Sequence, residues 1–269
     1  MKILFTDLDG TLLTDDKRIS DTDLASIREM TKKGHRFVIA SGRPLPSVLK
    51  LVKEYDLIAP NFYVSCFNGS LIYDCYRQEM IREITVSYED AAYIFDKARK
   101  EGLHVHTYSD THVIADHDTE EFRYYLDHIH MPGIVDPDFA KHMTHEPCKL
   151  IVMSFESRAR LQAFQKENEA WELPRLSHTY SCDHMLEYTA KDASKGASVL
   201  SLCELFSIPV SDAVAVGDEE NDISMIEAAG VGVAMQNASE AVKAHADYVT
   251  AADNDHDAIT EVIRKFILN

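Results

Sequence analysis

The chain opens with the apolar run "KILFT" (2–6), crosses a polar stretch, and then carries apolar positions at helical spacing over Asp21–Lys33. A second apolar run, "RFVIAS" (36–41), predicts another strand, followed by a helix around Leu45 to Tyr55 and a third strand at "FYVSCF" (62–67). This alternation predicts right-handed βαβ units and a parallel sheet. The same rhythm returns late in the chain, with strands at "AVAVG" (213–217), "VGVAM" (231–235) and "YVT" (248–250). Helices are expected between them over Asn221 to Ala229 and Ser239 to Ala244, and a last one from about His256 to Leu268. Both ends therefore predict one doubly wound parallel-sheet layer.

Between them the pattern changes. From about Ile84 to Leu186 there are hairpin-prone strands such as "LHVHTY" and "HVIAD", a helix at "SYEDAAYIFDKARK", and the strand "CKLIVMSF". This middle segment reads as an inserted α+β domain, with 1–83 and 187–269 forming the sheet domain and 84–186 the insertion. The stretch "TYSCDHMLEY" (179–188) is expected to lead back into the sheet domain.

A chain of 269 residues, 45% hydrophobic and 27% charged, is long enough for a large core and a further domain. No apolar run approaches the roughly 18 residues that span a bilayer, and the first residues read as a strand with no charged and apolar leader. A cytoplasmic protein without a membrane partner is the expectation. The formal charge of −18 argues against a nucleic-acid partner, because phosphate backbones are held by basic surfaces. Any anionic ligand must meet a local positive site. Cys66, Cys75, Cys148, Cys182 and Cys203 are scattered, with no C-x-x-C pair, so they are expected to be reduced and buried or half-buried.

Four short segments carry candidate chemistry. "TDLDGT" puts Asp7 and Asp9 at the end of the first strand, where a period of two turns both toward one crevice. The carboxyl ends of the strands are where open α/β sheets bind ligands, and Gly10 and Thr11 permit a tight turn there. "SGR" supplies the Ser41 hydroxyl, the open backbone of Gly42 and the Arg43 guanidinium at the end of the second strand. "SKG" places Lys195 at a helix start, where ammonium and exposed N–H groups can both face an anion. "GDEEND" puts Asp218 and Asp222 at another strand end with Asn221 between them, an arrangement that suits a hard cation such as Mg²⁺. Taken singly, each has a bland reading: an acidic turn, a serine helix cap, a solvated lysine.

Together and in this order, "DLDGT", "SGR", "SKG" and "GDEEND" resemble the four motifs of the haloacid dehalogenase superfamily of phosphohydrolases. The long insertion, with "FNGS" after the third strand, resembles the type IIB cap of its Cof-like sugar-phosphatase branch. The resemblance implies a Rossmann-like core with an inserted α+β cap, and a Mg²⁺-dependent phosphatase acting on a small phosphorylated molecule. It implies that Asp7 is the nucleophile, that Asp9 moves protons, and that Asp7, the carbonyl of Asp9 and Asp218 hold the metal. Ser41, Gly42, Arg43, Asn68, Lys195 and Asn221 would then bind phosphate, and Asp222 would support Lys195 or the metal from behind. Lys195 also counts among the implied catalytic residues. Glu219 and Glu220 depart from the small or neutral residue common after the first aspartate of the fourth motif; Glu219 is expected to face solvent. "DNDHDAI" departs from a "DGVA"-like turn, so no function is carried to Asp257.

Sugar phosphates are the expected substrates, with pyridoxal phosphate and flavin mononucleotide as alternatives. A phosphomutase or phosphotransferase using the same aspartyl-phosphate is one rival reading, and a phosphorylation-dependent switch is another. Eight of thirteen histidines fall between His104 and His145, including the pairs "HVH" and "HIH". They lack ligands at metal spacing and are expected on a solvated or substrate-facing cap surface. Tyr108, Tyr124, Tyr125 and Tyr180 are expected in the cap core.

Overall fold

The computed structural model describes residues 1–129 and 131–269. The chain divides into two compact units, one built from 1–42, 48–82 and 194–269, the other from 43–47 and 83–193. The first begins with β1 (Ile3–Thr6), α1 (Asp21–Lys32), β2 (Arg36–Ala40), α2 (Leu45–Glu54), β3 (Phe62–Cys66), β4 (Leu71–Asp74) and β5 (Glu79–Glu83). The second holds α3 (Tyr88–Lys100), β6 (His104–Tyr108), β7 (Val113–Ala115), α4 (Glu120–Ile129), β8 (Gly133–Val135), α5 (Phe139–His142), β9 (Leu150–Met153), α6 (Arg158–Glu172), β10 (Leu176–Cys182) and β11 (Met185–Ala190). The chain then returns to the first unit with α7 (Lys195–Leu205), β12 (Ala213–Gly217), α8 (Ile223–Ala228), β13 (Val231–Ala234), α9 (Glu240–Lys243), β14 (Tyr248–Val249) and α10 (Ala258–Val262).

The first unit is a doubly wound sheet in the order β14-β13-β12-β1-β2-β3-β4-β5. β1 lies between β2 and β12 and is parallel to both. Its residues are all buried, so Ile3, Leu4 and Phe5 are apolar in succession rather than in alternation, as expected of a parallel strand covered on both faces. Ile3, Phe5, Val38 and Ala215 share a core with Val199 and Leu202 of α7. α1 starts where the sequence places it, because the Ser20 side chain accepts from the Asp23 N–H and caps the first turn. The antiparallel β4 and the outer β5 lie beyond the parallel pattern. β5 is largely exposed and polar, so it lacks the apolar run that marks the central strands.

The second unit has a six-stranded sheet in the order β10-β11-β9-β6-β7-β8. Val105, Leu150, Val152, Leu186 and Tyr188 pack one of its faces against Ile94, Phe95, Leu161 and Phe164 of α3 and α6. Tyr93 and Trp171 stack across those two helices at 3.6 Å. The segment "TYSCDHMLEY" belongs to this unit, not to the sheet domain: it forms the β10–β11 hairpin, and β11 pairs again with β9. The second unit therefore extends past Leu186 to Ala193.

Three further expectations change in detail. A 3-10 turn at Glu220–Asp222 precedes α8, so the helix starts later than Asn221. The last helix starts at Ala258, after Asp257 adopts a left-handed φ of 61°, and continues through a π turn at Ile263–Ile267. His104 and His106 are buried and hydrogen-bonded to each other at 2.9 Å, not solvated, because β6 turns both into the interior. His130, the second member of "HIH", lies outside the described residues. None of the five cysteines is in a disulfide; four of them are buried and Cys182 is half-buried.

Candidate active site

Asp7 is the first residue after β1, held in register by its N–H bond to the Val216 carbonyl at 2.9 Å. Asp218 is the first residue after β12, the strand next to β1. The chain winds away from β1 toward β2 on one side and reaches β12 only later on the other, so the two aspartates mark the topological switch point of the sheet. β1 ends at Thr6, so Asp7 and Asp9 lie just past the strand and not within it. Asp9 sits on the following turn, where its carboxylate accepts from Lys17 Nζ at 2.8 Å and is 40% exposed.

Lys195 is the first residue of α7, whose N-terminus is capped by the Ser194 side chain accepting from the Ala197 N–H. Its ammonium is fully buried and donates to Asp7 Oδ1 at 2.5 Å and to Asp222 Oδ1 at 2.6 Å. Asp222 is buried too, and its Oδ2 accepts from the backbone N–H groups of Asp218 and Glu219, both at 3.0 Å. That carboxylate thus fixes the loop carrying Asp218 as well as the lysine. Thr11 Oγ1 donates to Asp218 Oδ1 at 2.6 Å, locking the carboxylate from the other side. Gly10 makes this approach possible: its φ is 80°, and a Cβ there would lie 2.4 Å from Asp218 Oδ2.

Asp7, Asp218 and Asp222 place one oxygen each within 4.8 Å of one another. One ammonium stands against three buried carboxylates, and their acidities reflect the imbalance. Burial raises Asp7 well above the ordinary carboxylate range, Lys195 pulls it back, and Asp222 and Asp218 push it up again. Burial likewise pushes Asp218 up to about 7, opposed by the Thr11 hydrogen bond and aided by Asp222 and Glu219. Burial works against the Lys195 ammonium, but Asp222 and Asp7 outweigh it and leave its acidity weaker than that of a free lysine. An all-oxygen, acidic donor set with surplus negative charge fits a hard divalent cation such as Mg²⁺.

Ser41 follows β2, is buried, and donates its N–H to the Ser65 carbonyl while its own carbonyl accepts from the Asn68 N–H. Asn68 has a left-handed φ of 55°, and its Oδ1 accepts from Asn221 Nδ2 at 3.2 Å. Ser41, Asn68 and Asn221 therefore form a connected group, and Asn68 Oδ1 lies 3.0 Å from where a Cβ on Gly42 would stand. Arg43 belongs to the short 43–47 segment that groups with the second unit. Glu219 is exposed and caps the 3-10 turn. The Thr11 bond, the Lys17 partner of Asp9, and Asn237, whose Nδ2 donates to the Gly10 carbonyl at 2.8 Å, are not evident from sequence. Asn237 had one signal: it follows "VGVAM", so it lies at the same end of the sheet as the acidic loops.

With this geometry in hand, comparison with known proteins decides the family. Residues 4–263 match the haloacid dehalogenase-like hydrolase family model. The chain belongs to this family. A 5-amino-6-(5-phospho-D-ribitylamino)uracil phosphatase of Bacillus subtilis is 28% identical to it, covering 100% of this chain and 96% of the relative. A pyridoxal phosphate phosphatase of Escherichia coli is 26% identical, with 99% of each chain covered. Among solved structures, a sugar phosphatase described as subclass IIB of the superfamily shares the fold with a TM-score of 0.83 at 24% identity, over 99% of both chains. The haloacid dehalogenase-like chain is thus a phosphatase, with a Rossmann-like sheet domain and a cap. No helix among its described residues is long and apolar enough to cross a membrane.

Proposed function

We propose that this phosphatase hydrolyses small phosphomonoesters, sugar phosphates foremost, through an aspartyl-phosphate on Asp7. The observation that carries the reading is Lys195, buried between Asp7 and Asp222 at the switch point, with Asp218 alongside. Such an ammonium neutralises a phosphate oxygen as readily as a carboxylate, so the site is preset for a dianion despite its acidic residues. Identity to relatives that act on a ribityl phosphate and on pyridoxal phosphate supports a small substrate with a primary phosphate ester.

In this reading an Asp7 oxygen attacks phosphorus as the bond from phosphorus to the substrate oxygen breaks, and Asp9 gives a proton to the departing alkoxide. Asp9 then takes a proton from water, the water oxygen attacks phosphorus, and the phosphorus–Asp7 bond breaks to release inorganic phosphate and the free carboxylate. Mg²⁺ bound by Asp7, Asp218 and the Asp9 carbonyl would offset carboxylate repulsion and supply positive charge against the phosphate oxygens. Lys195, Ser41, Gly42, Asn68 and Asn221 hold the remaining phosphate oxygens, and Arg43 adds a guanidinium. Asp222 keeps Lys195 and the Asp218 loop in place. The unit of residues 83–193 is assigned as the cap that selects the alcohol.

Phosphate release from a panel of sugar phosphates, pyridoxal phosphate and flavin mononucleotide tests this, with Mg²⁺ and with chelator. Release is expected to require the metal and to fall by roughly a thousandfold or more in Asp7→Asn. A near-normal rate in that variant would remove Asp7 as nucleophile, and isomerised sugar phosphate without free phosphate would replace hydrolysis by phosphoryl transfer. Asp9→Asn is expected to leave a phosphorylated protein detectable by intact-mass measurement; an unchanged turnover rate would sink its proton role.

A further inference from the structure

At the opposite ends of the parallel strands from Asp7 and Asp218, the first unit holds a cavity of about 670 Å³. Its walls come from the starts of β2 and β3, the β4–β5 hairpin and the C-terminal end of α7, with Arg36, Tyr63, Arg77, Met80, Leu205 and Phe206 facing it. The volume is that of a small-molecule pocket. None of these residues serves the phosphatase site.

Arg36 is its centre. The guanidinium carbon lies 3.7 Å from the centroid of the Phe206 ring and 5.7 Å from that of Tyr63. Nη1 donates to Asn61 Oδ1 at 3.1 Å and to the Tyr63 hydroxyl at 2.8 Å, both neutral acceptors. Nε is shut off from solvent and has no acceptor among the described residues. No carboxylate of a described residue pairs with this guanidinium, although the protein carries a net charge of −18. Asp74, the buried acid nearby, is already used: Oδ1 accepts from the N–H groups of Tyr76 and Arg77 at 3.0 and 2.8 Å. Arg77 reaches Asp74 only at 3.9 Å and leaves its side chain 72% exposed on the rim. Glu79 on the same rim is exposed. Tyr76, Met80 and Leu205 are large exposed apolar side chains gathered around the opening.

An aromatic and apolar wall with an uncompensated guanidinium suits a planar ring bearing an oxyanion, since arginine both stacks on rings and forks onto a carboxylate. The charge of that anion is limited. Leu205 ends α7, and the negative end of a helix dipole disfavours a dianion such as a phosphate ester. We propose that this cavity is a second small-molecule site, distinct from the carboxylate cluster, which takes an aromatic monocarboxylate with its ring among Tyr63, Phe206 and Arg36 and its oxygens toward Arg36 and Arg77. The assignment does not depend on the phosphatase reading.

Calorimetric titration of the full chain with salicylate and with naphthoate tests it. Saturable one-to-one binding is expected, equal in the wild type and in Asp7→Asn. Arg36→Gln and, on the rim, Arg77→Glu should each weaken it by about tenfold or more, and neutral salicylamide should bind weaker by a similar factor. Thermal melts check that both variants fold; should Arg36→Gln unfold, Arg77→Glu carries the decision. Absence of saturable binding, affinity unchanged in the folded variants, equal affinity for salicylamide, displacement of salicylate by inorganic phosphate, or loss of binding in Asp7→Asn would each overturn the assignment.

Discussion

The buried ammonium of Lys195 stabilises its surroundings only because two carboxylates meet it within hydrogen-bonding distance. Lys195→Met removes the cation and leaves Asp7 and Asp222 facing each other, so a loss of about 3–5 kcal/mol in urea unfolding is expected, together with loss of phosphate release. Unchanged stability would mean that the carboxylates are neutral and the pair is not ionic. Gly10→Ala is expected to act differently. Its methyl group meets Asp218 rather than a core side chain, so the rate of phosphate release should fall by about a hundredfold while the fold persists. At this scale the sequence was informative about residues at strand and helix ends: Asp7, Asp218, Asp222 and Lys195 do come together. It was silent on Thr11 to Asp218 and Asn237 to Gly10, because each joins residues more than two hundred positions apart and neither residue type announces a partner. The exposed Lys17–Asp9 pair was equally invisible, since lysines near aspartates are common in turns.

Among elements, α7 depends on a close contact at its N-cap. Gly69 has φ of 95°, and a Cβ there would stand 2.1 Å from the Ser194 carbonyl oxygen. Gly69→Ala should therefore cost about 3 kcal/mol in unfolding and impair phosphate release through displacement of Lys195. β6 carries a pH dependence of its own. Burial pulls His104 down to about 4 from the ordinary 6.5, against Glu121 and Asp116, while burial, His104 and Lys149 all lower His106. The folded values lie below the unfolded ones, so their stability contribution is complete above about pH 6.5 and is lost as pH falls toward 4. His104 alone should reduce unfolding free energy by about 2 kcal/mol between about pH 7.5 and 5. His104→Asn should flatten that slope in denaturant titrations; an unchanged slope would place the acid sensitivity elsewhere. The buried histidines were misread from sequence because alternating polar residues in "HVHTY" predict one wet face, whereas here His104 Nε2 meets His106 Nδ1, Thr119 meets His104 Nδ1, and His106 Nε2 is buried with no partner among the described residues. The central parallel strands were legible from their unbroken apolar runs, and β5 was not, having none.

On the scale of the whole molecule, the two units own separate cores, one led by Ile3 and Phe5, the other by Phe95 and Phe164. A fragment of residues 83–193 is expected to melt cooperatively by calorimetry; a broad, non-cooperative transition would show that its core does not suffice alone. The change of pattern near Ile84 announced the insertion, but the return was harder to see, because β11 is a strand on the way into another strand-rich domain. The interrupted connectivity also has a consequence in time. β1 pairs with β12 on one side, so the edge formed by Ile3–Thr6 has no partner until Ala213–Gly217 have been made. At synthesis rates of roughly 5–20 residues per second, that apolar edge stays open for on the order of ten to forty seconds. The nascent sheet must be shielded throughout, and the risk of aggregation falls on the growing chain more than on the finished enzyme.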